Sequence, residues 1–546
     1  MIEQTHEAVW SSIEDRYFNR GALKFFVSDT GLGKTTGFRS AIKKMWDKYW
    51  QGIPVLIMVP TRKDADTMWQ EMEAIEPGCS AVWTAVHDPS ENISSETFTP
   101  SAKFTKKQAS KFKCLIVTHN AGRKCEEWCG RRDLVIVDEY PSPIEVNIVE
   151  PYHFVQARDA EARAGPYADL FAKAVEWAER DREKGLSPVA PPPWAFTMSS
   201  VSPQTKQGEK IKRLGEAILD GRAFETRAAT ASWTYYKFDL PFQDRTLIFS
   251  ATAMYEGWQF STHHLAKNGP RVDYSQMVCH FKPWPDGVPK YHDKIMSNRA
   301  DRETFFEYVK DWIGFATEKT LIVCPKPFES DIKHLFPSAK VTHYGCDVGS
   351  NEYRECERVF LVSEHHKPRD AHRGHYLGHS GVETVTDQDL APIANTKSGV
   401  YRQVVEDAYA VHLKQMLARG TCRNVDEDGL AQAMEAHCMI DEGRFSRLIP
   451  DLFPGCRLAF PDGHKPNLGA KQQSPIMTTT KLLGLLPTLE EDWIGASDLQ
   501  EMGVKIKGDD KKRQIRNKSE VFNSLGWTYV EGKAGRYGQE AGFRRL

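Results

Sequence analysis

Several features are missing from this chain, and each absence excludes a class of protein. No apolar run approaches the roughly 18–20 residues that a membrane-spanning helix needs. The opening residues, MIEQTHEAVW, have neither the basic stretch nor the apolar core of a secretion signal. No membrane partner is therefore expected. Excess charge of one sign is missing too: 72 Lys+Arg against 74 Asp+Glu leave a net charge of −2. Nucleic acid cannot be held by bulk charge, so any such contact must come from local basic surfaces. The eleven cysteines follow no framework spacing and several sit inside apolar runs. That points to free thiols in a reducing, cytoplasmic compartment. No internal repeat is visible, which argues against a solenoid.

What is present is a long, ordinary globular composition, 40% hydrophobic and 27% charged over 546 residues. A chain of this length divides into several domains. LKFFVSDT (23–30), PVLIMVPT (54–61), KCLIVTHN (113–120) and DLVIVDEY (133–140) each read as a buried parallel strand with polar residues just past its apolar run. In an open α/β sheet the carboxyl ends of the strands build the ligand site. From Tyr152 to Gly185 the pattern turns helical and charged. The Pro-rich SPVAPPPW (187–194) and polar SSVSPQTKQG (199–208) then read as a flexible or extended connector. Strand patterning resumes with DRTLIFSATA (244–253), and a second α/β block holds TLIVCPKP (320–327) and RVFLVSEH (358–365).

The chemistry is concentrated in short loops. SDTGLGKTT (28–36) follows a strand and opens a helix. Gly31 and Gly33 let the backbone turn its N–H groups toward phosphate oxygens. Lys34 reaches the β- and γ-phosphates, the Thr35 hydroxyl suits Mg²⁺, and Thr30 and Thr36 flank the cradle. Ser28 stands where the full P-loop pattern has Gly. In DLVIVDEYPS (133–142), Asp138 and Glu139 emerge from a buried strand about a hundred residues later. Asp138 would hold Mg²⁺ and Glu139 would orient and deprotonate an attacking water. Together the two loops predict hydrolysis of ATP or GTP.

With these loops in this order, the chain resembles the superfamily 2 helicases over residues 20–425. Asp138 and Glu139, followed by Tyr140 and Pro141, resemble the DExx box. VPTR, with Thr61 and Arg62, resembles motif Ia, and VTHN, with Thr118 and His119, motif Ib. These loops would meet a nucleic-acid backbone through hydroxyl, guanidinium and imidazole donors. Ser250 and Thr252 of SAT resemble motif III, which couples nucleotide state to strand contacts. HYGCDVGSN (343–351) resembles motif V, carrying Gly345, Gly349, Ser350 and Asn351. QMLARGTCR (415–423) resembles motif VI, with Gln415, Arg419 and Arg423. Ala418 replaces the family's Gly and Arg423 falls one residue late, so Arg419 is the better finger toward a γ-phosphate and Arg423 its partner.

The resemblance implies two tandem RecA-like parallel-sheet domains, with a helical insertion and a C-terminal winged-helix-like domain. We expect residues 1–262 as the first, with the insertion at about 150–240, 263–465 as the second, and 475–546 as the third. The implied cofactors are ATP and Mg²⁺. The expected partner is DNA, single-stranded or forked, with RNA as the alternative, in a bacterial or phage-infected cell. An ATP-switched loader, a remodelling factor or a double-strand translocase would share the motif set.

Other signals are weighed and set aside. CEEWC, with Cys125 and Cys129, supplies two thiols where an iron–sulfur or zinc site needs four ligands. The histidines of EHHKPRDAHRGHYLGH (364–379) match no structural zinc spacing and read as a polar, partly cationic loop near nucleic acid or nucleotide. From Glu501 to Leu546 there are eleven Lys/Arg against six Asp/Glu. Lys511, Lys512, Arg513, Arg516 and Lys518 would face phosphates from a helix, with Arg536, Arg544 and Arg545 on a hairpin wing.

Overall fold

A computed structural model describes the chain except for residues 22, 50–51, 90–98, 140–143, 165, 181–183, 228–230, 239, 241, 253–254, 256–263, 266–269, 346–351, 463–481 and scattered positions from 483 to 539. Five strands alternate with helices at the start: β1 (Lys24–Val27), β2 (Val55–Val59), β3 (Ser80–Trp83), β4 (Cys114–Thr118) and β5 (Leu134–Asp138). An inserted segment contributes β6 (Ile144–Val149), β7 (Gly185–Pro188), β8 (Ala223–Arg227) and β9 (Ala231–Phe238). The chain then returns with β10 (Thr246–Ser250) and β11 (His264–Leu265). The first sheet runs β11-β1-β10-β5-β2-β4-β3, with every neighbouring pair parallel. All five positions of β2, β5 and β10 are buried, as expected of a parallel sheet covered on both faces.

The second sheet contains β12 (Met277–Phe281), β13 (Thr320–Cys324), β14 (Lys340–His343), β15 (Arg358–Leu361), β16 (Met434–Cys438) and β17 (Arg457–Ala459). Its order is β14-β13-β15-β16-β12-β17, again parallel throughout. These are two tandem RecA-like domains. All seven apolar runs read as strands above lie in one or other of these sheets. The C-terminal strands β18 (Trp493–Gly495), β19 (Trp527–Val530) and β20 (Gly542–Arg545) form a separate antiparallel sheet around Ile494, Trp527 and Phe543.

The insertion is richer than a helical pair. Beside four helices it carries the antiparallel sheet β6-β9-β8-β7 and an aromatic core of Phe154, Trp177, Trp194 and Trp233. Of the two readings of the Pro-rich stretch the extended one holds: Ser187 and Pro188 end β7, and Pro193 opens a helix at Pro193–Ser199 with Trp194 buried. Period-2 alternation in ASWTYYKF outweighs the helical charge pattern around it.

A second correction concerns residues 364–379. Most of that stretch is a helix, Arg369–His379, laid across β6 and β9 of the insertion. Gly374 and Gly378 allow the close approach. A side chain at Gly374 would meet Val146 at 2.6 Å, and one at Gly378 would meet Ile144. Asp370 accepts from Thr226 Oγ1 at 2.9 Å and Ser232 Oγ at 2.8 Å. The segment's buried polar groups therefore tie the insertion of the first domain to a helix of the second. Among the described residues no helix is long and apolar enough to cross a membrane.

Candidate active site

In the first sheet, β1, β10 and β5 are consecutive neighbours, so the loops leaving their carboxyl ends converge. After β1, Gly31 and Gly33 take φ of 87° and 71°, the left-handed region open to glycine. Gly33 caps the helix Lys34–Lys48, whose first N–H groups point into the loop. Lys34 Nζ donates to the Ser28 and Asp29 carbonyls, at 2.8 Å each. Burial pushes its ammonium down to about 8, against the opposing pull of Glu139, Asp138 and Asp29. Thr36 is exposed on the next turn and accepts from Arg39 Nη2 at 3.2 Å.

Past β5, Asp138 Oδ2 accepts from Thr35 Oγ1 at 3.0 Å. Asp138 Oδ1 is buried with no hydrogen-bond partner. A spare carboxylate oxygen beside a hydroxyl is a donor set suited to a hard cation such as Mg²⁺. Burial, then the charge of Glu139, pushes the Asp138 carboxyl up to about 7. Glu139 has a left-handed φ of 48°, and its N–H donates to the Phe249 carbonyl at 3.0 Å. That unusual backbone turns its carboxylate out of the strand and into the cleft. Beyond β10, Ser250 and Thr252 are buried and hydrogen-bond each other, with the Thr252 N–H also donating to Ser250 Oγ at 3.1 Å.

The second domain closes this cleft with the end of one helix, Gly399–Leu417, and the short turn Thr421–Arg423. Thr30, Glu139, Ser250, Thr252, Gln415, Arg419 and Arg423 line one cavity. Arg423 Nη2 donates to Glu139 Oε1 at 3.2 Å. A side chain at Gly31 would collide with the Arg423 carbonyl, so the P-loop and the arginine turn are in direct apposition. Arg419 is buried one helical step back, with its guanidinium 5.9 Å from the Tyr353 ring. Of the two arginines, the structure brings Arg423 to the acidic pair.

Not every motif residue faces the cleft. Thr61 and Thr118 cap the helices Arg62–Ile75 and His119–Gly122, accepting from the N–H groups of Asp64 and Ala121. Arg62 is exposed beside the first cap. His119 is buried: its Nε2 lies 2.9 Å from the Asp138 carbonyl, and burial lowers its imidazole to about 3. It is a neutral brace beneath the acidic pair. Gly345 has a left-handed φ of 88° in a turn, while Gly349, Ser350 and Asn351 lie outside the described residues. So do Lys511, Arg513, Arg516, Lys518 and Arg536, whereas Lys512 is half-buried. Arg544 approaches the Trp493 ring and Arg545 the Trp527 ring, both from β20, the central strand of the C-terminal sheet.

Three contributors escaped sequence reasoning. Asp29, inside the P-loop, is buried and paired with Lys414 of the second domain at 2.9 Å. Its other oxygen accepts from the Val272 N–H at 2.9 Å. Lys414 also donates to Tyr274 Oη at 3.0 Å and the Leu452 carbonyl at 2.6 Å. Leu32, at the P-loop tip, is fully buried in the core of the second domain with Tyr274, Leu413 and Leu417. His6, on the helix Ile2–Phe18, stands 3.1 Å from where a Gly33 side chain would be. Only the acidic charge of Asp29 in a loop expected to bind phosphates could have hinted at the first.

No family model matches the chain, and no curated protein does. Solved structures do. S. cerevisiae Dbp5 bound to RNA and ADP BeF3 is similar at 9% identity and a TM-score of 0.33, covering 83% of this chain and 88% of that one. Mycobacterium smegmatis helicase Lhr bound to ssDNA and AMP-PNP matches at 11% identity and a TM-score of 0.33, covering 81% of this chain and 46% of its own. T4 UvsW matches at 9% identity and a TM-score of 0.21, with 84% and 76% covered. Likeness at this level transfers no ligand and no residue role.

Proposed function

We propose that the chain is an ATP-dependent motor that moves along or unwinds nucleic acid, hydrolysing ATP in the cleft between its two parallel-sheet domains. The observation that carries this reading is the pairing of Glu139 with Arg423 across one cavity, beside the hydrogen-bonded Thr35, next to Lys34, and Asp138, at the end of β5. The P-loop N–H groups and Lys34 would bind the phosphates. Thr35 and Asp138 would hold Mg²⁺, which when bound neutralises phosphate charge. Glu139 orients a water and takes its proton as the water oxygen bonds to the γ-phosphorus and the β–γ bridging oxygen departs with ADP. Arg423 stabilises the charge that develops, with Arg419 supporting it from behind.

The strand would lie across the helix caps at Thr61 and Thr118, where exposed Arg62 adds a cation and the helix N-termini favour phosphate. Residues 1–262, 263–465 and 475–546 are then a first motor domain, a second and a winged-helix-like strand holder. DNA is favoured because the C-terminal sheet, with Arg544 and Arg545 exposed on it, suits a duplex or fork. Unpaired thiols at all ten described cysteines go with a cytoplasmic setting.

The test is ATP hydrolysis by the full chain, titrated with single-stranded DNA, double-stranded DNA and RNA. Stimulation by single-stranded or forked DNA is expected. Preference for RNA would reassign the partner, and slow turnover untouched by any strand would replace the motor with an ATP switch.

A further inference from the structure

The inserted segment carries a polar pocket that the ATP cleft does not use. Its floor is the antiparallel pair β6 and β9, where Asn147 stands in register with Tyr235. Its wall is the helix Lys206–Leu219, which presents Lys206, Glu209, Lys210 and Arg213 along one face. These side chains help to line an open cavity of about 450 Å³. Three are cations and one is an anion, so positive charge is in excess. The helix also begins at the pocket, capped by Thr205, and adds the positive end of its dipole.

The lining leaves donors to spare. Tyr235 is only 3% exposed, and its hydroxyl makes no hydrogen bond among the described residues. Such a hydroxyl is costly unless something in the pocket accepts its proton. Burial pushes it up, so it stays protonated as a donor. Arg213 commits only Nε, to Glu209 Oε1 at 3.1 Å, which leaves the Nη groups of its fork. Lys210 Nζ lies 2.7 Å from His153 Nε2 and keeps further N–H donors. The neighbouring carboxylates are already engaged. Glu145 meets Lys237 and the Asn147 amide, and Glu161 accepts from the Gln204 and Thr205 N–H groups and the Thr205 hydroxyl. Surplus donors with surplus positive charge select an oxyanion. Beside Lys210, His153 stacks on Tyr152 at 3.9 Å and 30°, and Tyr152 is 52% exposed. An exposed ring next to a phosphate contact is a platform for a base.

We propose that this pocket holds a backbone phosphate of a nucleic-acid strand, with a flanking base stacked on Tyr152. Tyr235 and Arg213 donate to the phosphate oxygens, and Lys206 and Lys210 supply charge at the mouth. The source of the phosphate rests on the reading of the chain as a nucleic-acid motor, whereas the pocket's preference for an oxyanion does not. The pocket also stands on the route to the ATP site. β6 follows β5, which ends in Asp138, and β9 leads back into β10, the neighbour of β5. A strand gripped here therefore acts on the segment leaving Glu139 and on the one entering β10.

The experiment uses the full chain without ATP. Failure of the motor assignment then shows only in turnover, and failure of the pocket only in binding. Fluorescein-labelled oligothymidylate is titrated by anisotropy, and backbone hydrogen exchange reports on residues 203–213, with inorganic phosphate as the second probe. Oligothymidylate is expected to slow exchange in that segment. Lys206→Glu, at an exposed position that tolerates the change, should weaken its binding about tenfold and flatten the slope of log K against log salt by about 1. Tyr152→Ala should weaken it about fivefold. Tyr235→Phe removes only a hydroxyl with no partner inside the protein. Its stability to denaturant should therefore hold while its affinity falls, a separation that a purely structural tyrosine would not give. Wild-type affinity and salt slope in both Lys206→Glu and Tyr235→Phe would overturn the proposal. So would slowed exchange at 203–213 with inorganic phosphate and none with oligothymidylate.

Discussion

On the first-domain side of the cleft, the chemical groups hang from the ends of three adjacent strands, β1, β10 and β5. On the second-domain side they come from the end of a single helix and the turn after it. The first arrangement is aimed by the strand ends of a hydrogen-bonded sheet. The second is only as well placed as the docking of one domain on the other. Two contacts secure that docking at the P-loop itself, the buried Asp29–Lys414 pair and the insertion of Leu32 into the opposite core. The Asp29–Lys34 loop is thus also the joint between the domains, and anything that reshapes it must move both.

Substitutions on the rigid side should have the largest effect. Lys34→Ala or Glu139→Gln should reduce turnover to background while leaving the fold intact, measured as steady-state phosphate release. Across the cleft, Arg423→Ala should lower kcat by about 10³-fold with little change in KM, the signature of a finger felt only in the transition state. Arg419→Ala, buried against Tyr353, should lose less turnover and more stability. The reverse ranking would hand the finger to Arg419 and break the contrast between the halves as drawn.

That contrast also explains what could be read from residues alone. The P-loop, the Asp138–Glu139 pair and the seven apolar strands were legible because each needs its residue types contiguous in the chain. The strands' burial on both faces writes them as unbroken apolar runs. That Arg423 and not Arg419 pairs with Glu139 was not legible, because only the path of the Gly420 turn decides which guanidinium meets that carboxylate. The role of His119 was hidden for a similar reason, since a polar residue after a strand reads as exposed until its carbonyl partner is known. The sheet in the insertion was masked by the charged helices around it, although the alternation in β9 carried the signal.

The latch comes next in size. Asp29→Asn would leave the Lys414 ammonium buried without its counter-charge, at a cost of about 3–5 kcal/mol. We expect a weaker second-domain transition in denaturant unfolding and a raised KM for ATP. Adding Lys414→Met should restore much of the stability, because removing both charges ends the desolvation problem, whereas the KM defect should persist if the pair sets P-loop geometry. Strictly additive losses in that double-mutant cycle would mean the two residues act independently and the joint lies elsewhere.

The smallest effect concerns protons on the rigid side. Asp138, at 3.8 in an unfolded chain, is held at about 7 by burial first and the Glu139 charge second. The folded protein therefore keeps a proton that the unfolded chain releases between those values. This group's favourable contribution to stability is complete below 3.8 and gone once pH has risen through about 7. A divalent ion needs the ionised carboxylate, so proton and Mg²⁺ compete for Asp138. The Mg²⁺ concentration giving half-maximal binding of a fluorescent ATP analogue should be about tenfold higher near pH 6 than near pH 8. Using binding as the readout admits Glu139→Gln, which removes the second cause of the shift and should move the pH step downward. An unshifted step in that variant would assign the perturbation to burial alone and separate Asp138 from the charge that Arg423 engages across the cleft.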